Sequence, residues 1–130
     1  MSRDDVQRWL DAYVEAWKTY DPEKVDALFA ANVEYRYHPY DQPLRGRKAV
    51  AASWLDEPNR DAAGTYEAAY EPFAVDGDTA VAIGSSRYYT DASQSTLDKE
   101  YFNAYLLRFD GDGKCASFTE YFMLRPRPAL

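Results

Sequence analysis

The sequence predicts an α+β fold: three N-terminal helices packed on a strongly curved, mainly antiparallel sheet. Three observations predict it. Apolar residues recur at helical spacing through most of the first 55 residues. From Thr65 to Leu124 the period becomes two, the signature of strands. Asp76-Gly77-Asp78 and Asp110-Gly111-Asp112-Gly113 then supply tight turns that fold this second part into hairpins. Helices in one run and strands in the next place the helices on one face of the sheet.

Each element has its own warrant. Ser2 to Tyr20 reads as a helix, because Val6, Trp9, Leu10, Tyr13, Val14 and Trp17 follow the i, i+3, i+4, i+7 pattern. Ser2 suits the N-cap, and Asp4 and Asp5 sit at the positive end of the helix dipole. Asp21 to Asn32 reads as a second helix, with Asp21 as cap, Pro22 at the first helical position and Asn32 as stop. Val33 to His38 alternates as a short strand, and the two prolines of "PYDQPLRG" make a loop. Gly46 to Pro58 holds a third helix, with Val50, Trp54 and Leu55 on one side. Four strands follow, and the tail "RPRPAL" is too rich in proline to extend the last of them.

Length and composition bound the function. A chain of 130 residues fits a single domain, residues 1–130, able to bury about two-thirds of the surface it exposes when unfolded. Its net charge of −7 disfavours nucleic acid and anionic membranes, which both need a basic surface. One cysteine, Cys115, rules out an internal disulfide or a zinc cluster and reads as a small buried apolar residue. The start lacks the apolar core of a signal peptide, and no 18-residue apolar run exists, so a reducing cytoplasm is the expected setting. Twelve tyrosines against six phenylalanines suit an interior that is apolar yet offers hydrogen bonds.

The element order, with "YDPEKVDALFAANVEY", "LRGRKAV" and "FDGDGKCASFTEYF", resembles the nuclear transport factor 2-like superfamily over nearly the whole chain. That group includes ketosteroid isomerases, SnoaL-like polyketide cyclases, scytalone dehydratases and limonene epoxide hydrolases. The resemblance implies a cone-shaped domain with a pocket between sheet and helices, no cofactor, and a homodimer formed through the outer sheet face. Fold alone does not fix chemistry. The isomerases' helix-one tyrosine falls on Tyr13, eight residues before Asp21. Their catalytic aspartate, which precedes a proline, falls on His38, or on Tyr37 if one residue is inserted. Their protonated aspartic acid falls on Tyr105. Steroid isomerisation is therefore not implied. The hydrolases' Asp-Arg-Asp set is missing around Arg87, and one histidine cannot supply the dehydratases' two.

The expected catalytic residues are His38, Tyr13 and Tyr105. His38 is the one imidazole, the side chain that exchanges protons near neutral pH without tuning. It either serves the pocket or ends its strand at the surface. The expected ligand contacts are Trp17, Tyr37, Trp54, Arg87, Tyr89, Tyr101, Asn103, Glu120 and Phe122. Tyr101, Asn103 and Tyr105 share one strand face, the one the resemblance turns inward. Glu120 is a lone carboxylate between Phe118 and Phe122, and Arg87 a lone cation beyond Val81, Ile83 and Ser85. A buried charge needs a partner, so these two are expected to meet at the pocket floor, directly or across one polar residue such as Tyr105 or Asn103. Phe102, Leu106, Met123, Tyr121 and Tyr88 are expected on the outer, dimer-forming face. No metal site is implied, since one histidine and scattered carboxylates have no ligand spacing. The function that follows is binding of a small, flat, largely apolar molecule. It is either an isomerase, cyclase or dehydratase acting by proton transfer, or a binding or dimerisation module without catalysis.

Overall fold

A computed structural model describes residues 1–55 and 64–126. Helices α1 (Arg3–Thr19), α2 (Pro22–Leu28) and α3 (Arg47–Trp54) lie on a six-stranded sheet. Its strands are β1 (Phe29–Arg36), β2 (Leu44–Arg45), β3 (Tyr66–Asp76), β4 (Thr79–Tyr89), β5 (Leu97–Phe109) and β6 (Cys115–Leu124). Their order is β2-β1-β6-β5-β4-β3, all antiparallel except the β1–β6 pair. Pro58 and residues 127–130, which entered the reading of the third helix and of the tail, lie outside the described residues.

Local chemistry sets the ends. Ser2 Oγ accepts from the Asp5 amide at 3.0 Å and Asp5 Oδ2 accepts from the Ser2 amide at 2.9 Å, a complete capping box. Asp21 caps α2 through the Glu23 amide. That helix ends at Leu28, four residues before Asn32. Trp9 Nε1 donates to the Leu28 carbonyl at 2.9 Å and Lys114 Nζ to that of Ala27 at 2.8 Å, satisfying carbonyls that another helical turn would have used. Phe29 then turns extended and pairs with Cys115. Leu44 and Arg45, within the expected loop, pair with Tyr35 and Glu34 instead.

Trp9, Tyr13, Phe29, Tyr35, Trp54, Tyr105 and Phe118 are buried in one core. Tyr35 stacks on Phe118 at 4.4 Å and Trp17 on Trp54 at 4.0 Å. The Tyr35 hydroxyl and Trp54 Nε1 are both buried without a hydrogen bond among the described residues. They lie near enough to influence each other electrostatically but do not reach bonding geometry. Cys115 is fully buried, which pushes its thiol up to about 12.

Candidate functional site

Strand register decides what faces the helices. Tyr105 pairs with Ala82 on one side and Glu120 on the other. Tyr105 is buried, so Ala82 and Glu120 share its inner face. The inner row of β4 is therefore Ala80, Ala82, Gly84, Ser86 and Tyr88. Val81, Ile83, Ser85 and Arg87 form the outer row.

This corrects the expected Arg87–Glu120 pair. Arg87 stands opposite Glu100, and its Nε binds Glu100 Oε2 at 3.1 Å on the outside of the sheet. Arg125 Nε holds the other Glu100 oxygen at 2.7 Å. The outer row attracted the wrong assignment because Val81 and Ile83 are its larger apolar residues. The inner row is small because tyrosines fill the space above it. A Cβ on Gly84 would lie 2.0 Å from the Ala69 carbonyl oxygen and 2.5 Å from Tyr70 Cδ1. The same correction moves Tyr88 from the outer face to the pocket wall.

The pocket encloses about 230 Å³. Tyr13 and Trp17 of α1 reach it from the helix side, and Tyr37 from just past β1. Tyr66 and Tyr70 of β3, Ser86 and Tyr88 of β4, Lys99, Tyr101, Asn103 and Tyr105 of β5, and Glu120 and Phe122 of β6 complete it. A wider chamber adjoins it and shares Trp17, Tyr37, Tyr88 and Lys99 with it.

At its centre a chain of hydrogen bonds crosses three strands. Ser86 Oγ donates to Asn103 Oδ1 at 3.0 Å, and Asn103 Nδ2 donates to Glu120 Oε2 at 2.9 Å. With its carbonyl taken by Ser86, the Asn103 amide can present only its NH₂ to Glu120. Burial pushes the Glu120 carboxyl up to about 7 from the ordinary 4.5, against smaller pulls downward from Asn103 and from the charge on His38. Burial also raises Tyr13, Tyr105, Tyr66 and Tyr88, so their hydroxyls stay protonated and able to donate. The Tyr66 and Tyr70 hydroxyls lie 3.0 Å apart.

His38 does not line the pocket. Its Nδ1 lies 2.8 Å from Asp41 Oδ2, and its ring packs on Tyr40 and on Phe122. Tyr37 is the residue of that segment that reaches the cavity, with its hydroxyl 2.8 Å from Ser53 Oγ. Trp54 is fully buried in the core behind Trp17 and Tyr13 and lines neither this pocket nor the adjoining chamber, a second correction. Tyr89 lines the adjoining chamber, where a β-bulge shifts the register between Tyr88 and Tyr89. Tyr66, Tyr70, Ser86, Tyr88 and Lys99 were missed as lining residues. Lys99 was readable, since it lies two residues before Tyr101 on the same strand face.

Among the described residues, no three His, Cys, Asp or Glu side chains gather as a metal site. No described helix is long and apolar enough to cross a membrane.

The model of the SnoaL-like domain matches residues 10–118, more than half of the chain. The chain belongs to the SnoaL-like domain family. Solved structures of similar shape agree with the fold. An NTF-2-like protein of unknown function from Burkholderia xenovorans LB400 aligns with a TM-score of 0.69 at 17% identity, over 98% of this chain and 88% of that one. An NTF2-like protein with a cystatin-like fold from Novosphingobium aromaticivorans aligns at 0.67 and 21% identity, over 91% and 79%. An LEH-like epoxide hydrolase from M. tuberculosis aligns at 0.63 and 16%, over 93% and 84%. No curated protein matches the chain. The SnoaL-like fold places the Glu120 pocket between sheet and helices.

Proposed function

We propose that this chain binds a small, largely apolar organic molecule in the Glu120 pocket and moves a proton on it without a cofactor. The observation that carries the reading is Glu120 itself. It is a carboxyl held by one amide, surrounded by tyrosines and poised near pH 7. An acid–base group works best with its pKa near the working pH. The ionised form takes a proton from a carbon acid, Tyr13 and Tyr105 hydroxyls donate to the oxygen that gains charge, and Glu120–H returns the proton elsewhere on the molecule. The reaction class is isomerisation, cyclisation or dehydration. One structural neighbour is an epoxide hydrolase, which supports small-molecule chemistry in a protein of this shape. Glu120 takes the proton-carrying role that His38 held in the sequence reading, and His38 tunes it from outside the pocket.

A cavity of about 230 Å³ lies below the roughly 300–1,000 Å³ of drug-sized sites, so the ligand is small. The test is turnover of a panel of small enolisable ketones by wild type and Glu120→Gln. The reading predicts wild-type turnover with an inflection near pH 7, lowered about 100-fold or more in the variant. Undiminished turnover by Glu120→Gln overturns it. Binding without turnover of any panel member favours the non-catalytic alternative. We also propose that two copies pair through the outer sheet face.

A further inference from the structure

Lys99 lines both the inner pocket and the adjoining chamber, and it is the one cationic residue in either wall among the described residues. Its ammonium lies 5.4 Å from the Tyr88 ring centre and 5.8 Å from that of Tyr101. Those two rings meet at 87°, so the charge sits in the corner of two aromatic walls. Lys99 forms no ion pair among the described residues, as is true also of Arg47, Lys48, Arg108 and Lys114, but it alone of these lines the pocket and the chamber, whose wall also holds Asp98. A cation steered to a pocket mouth by ring faces, with its donors still available, is suited to a ligand anion.

From this we infer that Lys99 is an anion subsite, and that the pocket's ligand is a small aryl or cyclic acid with its carboxylate at Lys99 and its neutral polar end at Glu120. The inference rests on the reading of this cavity as a ligand site, but not on any proton transfer there. Lys99 and Tyr105, the partner of Glu120, are separated along β5 by roughly 20 Å of strand. The Glu120 side chain leans toward Asn103, and the Lys99 ammonium sits between the rings of Tyr88, opposite it, and Tyr101, so the space between the two charged ends is shorter than that interval and suits an extended aryl acid. The opposite orientation would set the ligand carboxylate against Glu120, where two carboxyls in one dry site would compete for a proton.

The test uses three probes of one shape: 3-(4-hydroxyphenyl)propanoate, its primary amide, and 3-(4-hydroxyphenyl)propylamine. Affinities are measured by calorimetry or NMR titration on wild type, Lys99→Met and Glu120→Gln. The inference predicts that the carboxylate binds wild type most tightly and the amine least. Lys99→Met should weaken the carboxylate about tenfold and bring it level with the amide, while leaving the amide unchanged. Glu120→Gln keeps a hydrogen-bonding group at the ligand's neutral end, so it should change the carboxylate's affinity by less than about threefold. Tightest binding by the amine means that Glu120 and the rings select a cation, and it overturns the inference. So does a carboxylate whose affinity rises strongly in Glu120→Gln and ignores Lys99→Met. Failure of all three probes to bind at millimolar concentration overturns it as well. Turnover by Glu120 is absent from every readout, so the two proposals fail separately.

Discussion

Asn103 and Glu120 are diagonal neighbours on β5 and β6, joined by a 2.9 Å bond from Nδ2 to Oε2. No cation stands within ion-pair distance of Glu120 among the described residues. A neutral amide only partly offsets the cost of burying the anion, so Glu120 holds its proton to about pH 7.

Stability should therefore depend on pH through this group. The unfolded carboxyl ionises near 4.5 and the folded one near 7. Below 4.5 both states are protonated and the group adds no penalty. Between 4.5 and about 7 the unfolded chain ionises first, so stability falls as pH rises, and it levels off above about 7. The loss is up to about 3 kcal/mol. Urea unfolding at about pH 5 and about pH 8 should show Glu120→Gln gaining on wild type at the higher pH. Equal pH dependence in the two proteins would contradict this.

Tyr35→Phe should be neutral or stabilising by about 1 kcal/mol. The hydroxyl is buried without a hydrogen bond among the described residues, and phenylalanine keeps the stack on Phe118. A thermal melt lowered in the variant would mean that the hydroxyl is satisfied after all.

Gly84→Ala should cost at least about 3 kcal/mol. The added Cβ meets the backbone of β3 at 2.0 Å, which no rotamer change relieves, and it strikes Tyr70, a wall of the pocket. Denaturation midpoints will check this, and a loss under about 1 kcal/mol would show that the hairpin yields locally.

Phe102, Leu106, Tyr121 and Met123 crowd the outer face with exposures of 44 to 73%. The proposed pairing of two copies would cover this apolar patch. Light scattering should give twice the mass of one chain, and Leu106→Glu with Met123→Glu should halve it. A wild-type monomer at micromolar concentration removes the dimer.

The helices, the hairpins and the inner face of β5 were legible because their periods are strong. Tyr101, Asn103 and Tyr105 line the pocket on the strand face chosen for them. β4 was not legible. Its inner row, Ala80, Ala82, Gly84 and Ser86, is small to make room for Tyr70 and Tyr105, so hydrophobicity pointed to the outer Val81 and Ile83. That one-residue inversion moved Arg87 inside and made Glu120 look ion-paired. His38 drew attention by its chemistry, yet the chain past β1 turns Tyr37 inward and leaves the imidazole beside Asp41. The burial of Glu120 was legible in the row Phe118, Glu120 and Phe122, but the absence of a cation beside it, which leaves burial to set its pKa, depended on the unread register of β4.

The most direct test follows the Glu120 side-chain carboxyl carbon by NMR across a pH titration, assigned by its absence in Glu120→Gln. The account predicts a midpoint of about 7, moving higher in His38→Ala as the downward pull of that ring is removed. A midpoint near 4.5, unmoved by His38→Ala, would show a solvated carboxylate and contradict the pocket's acid–base role.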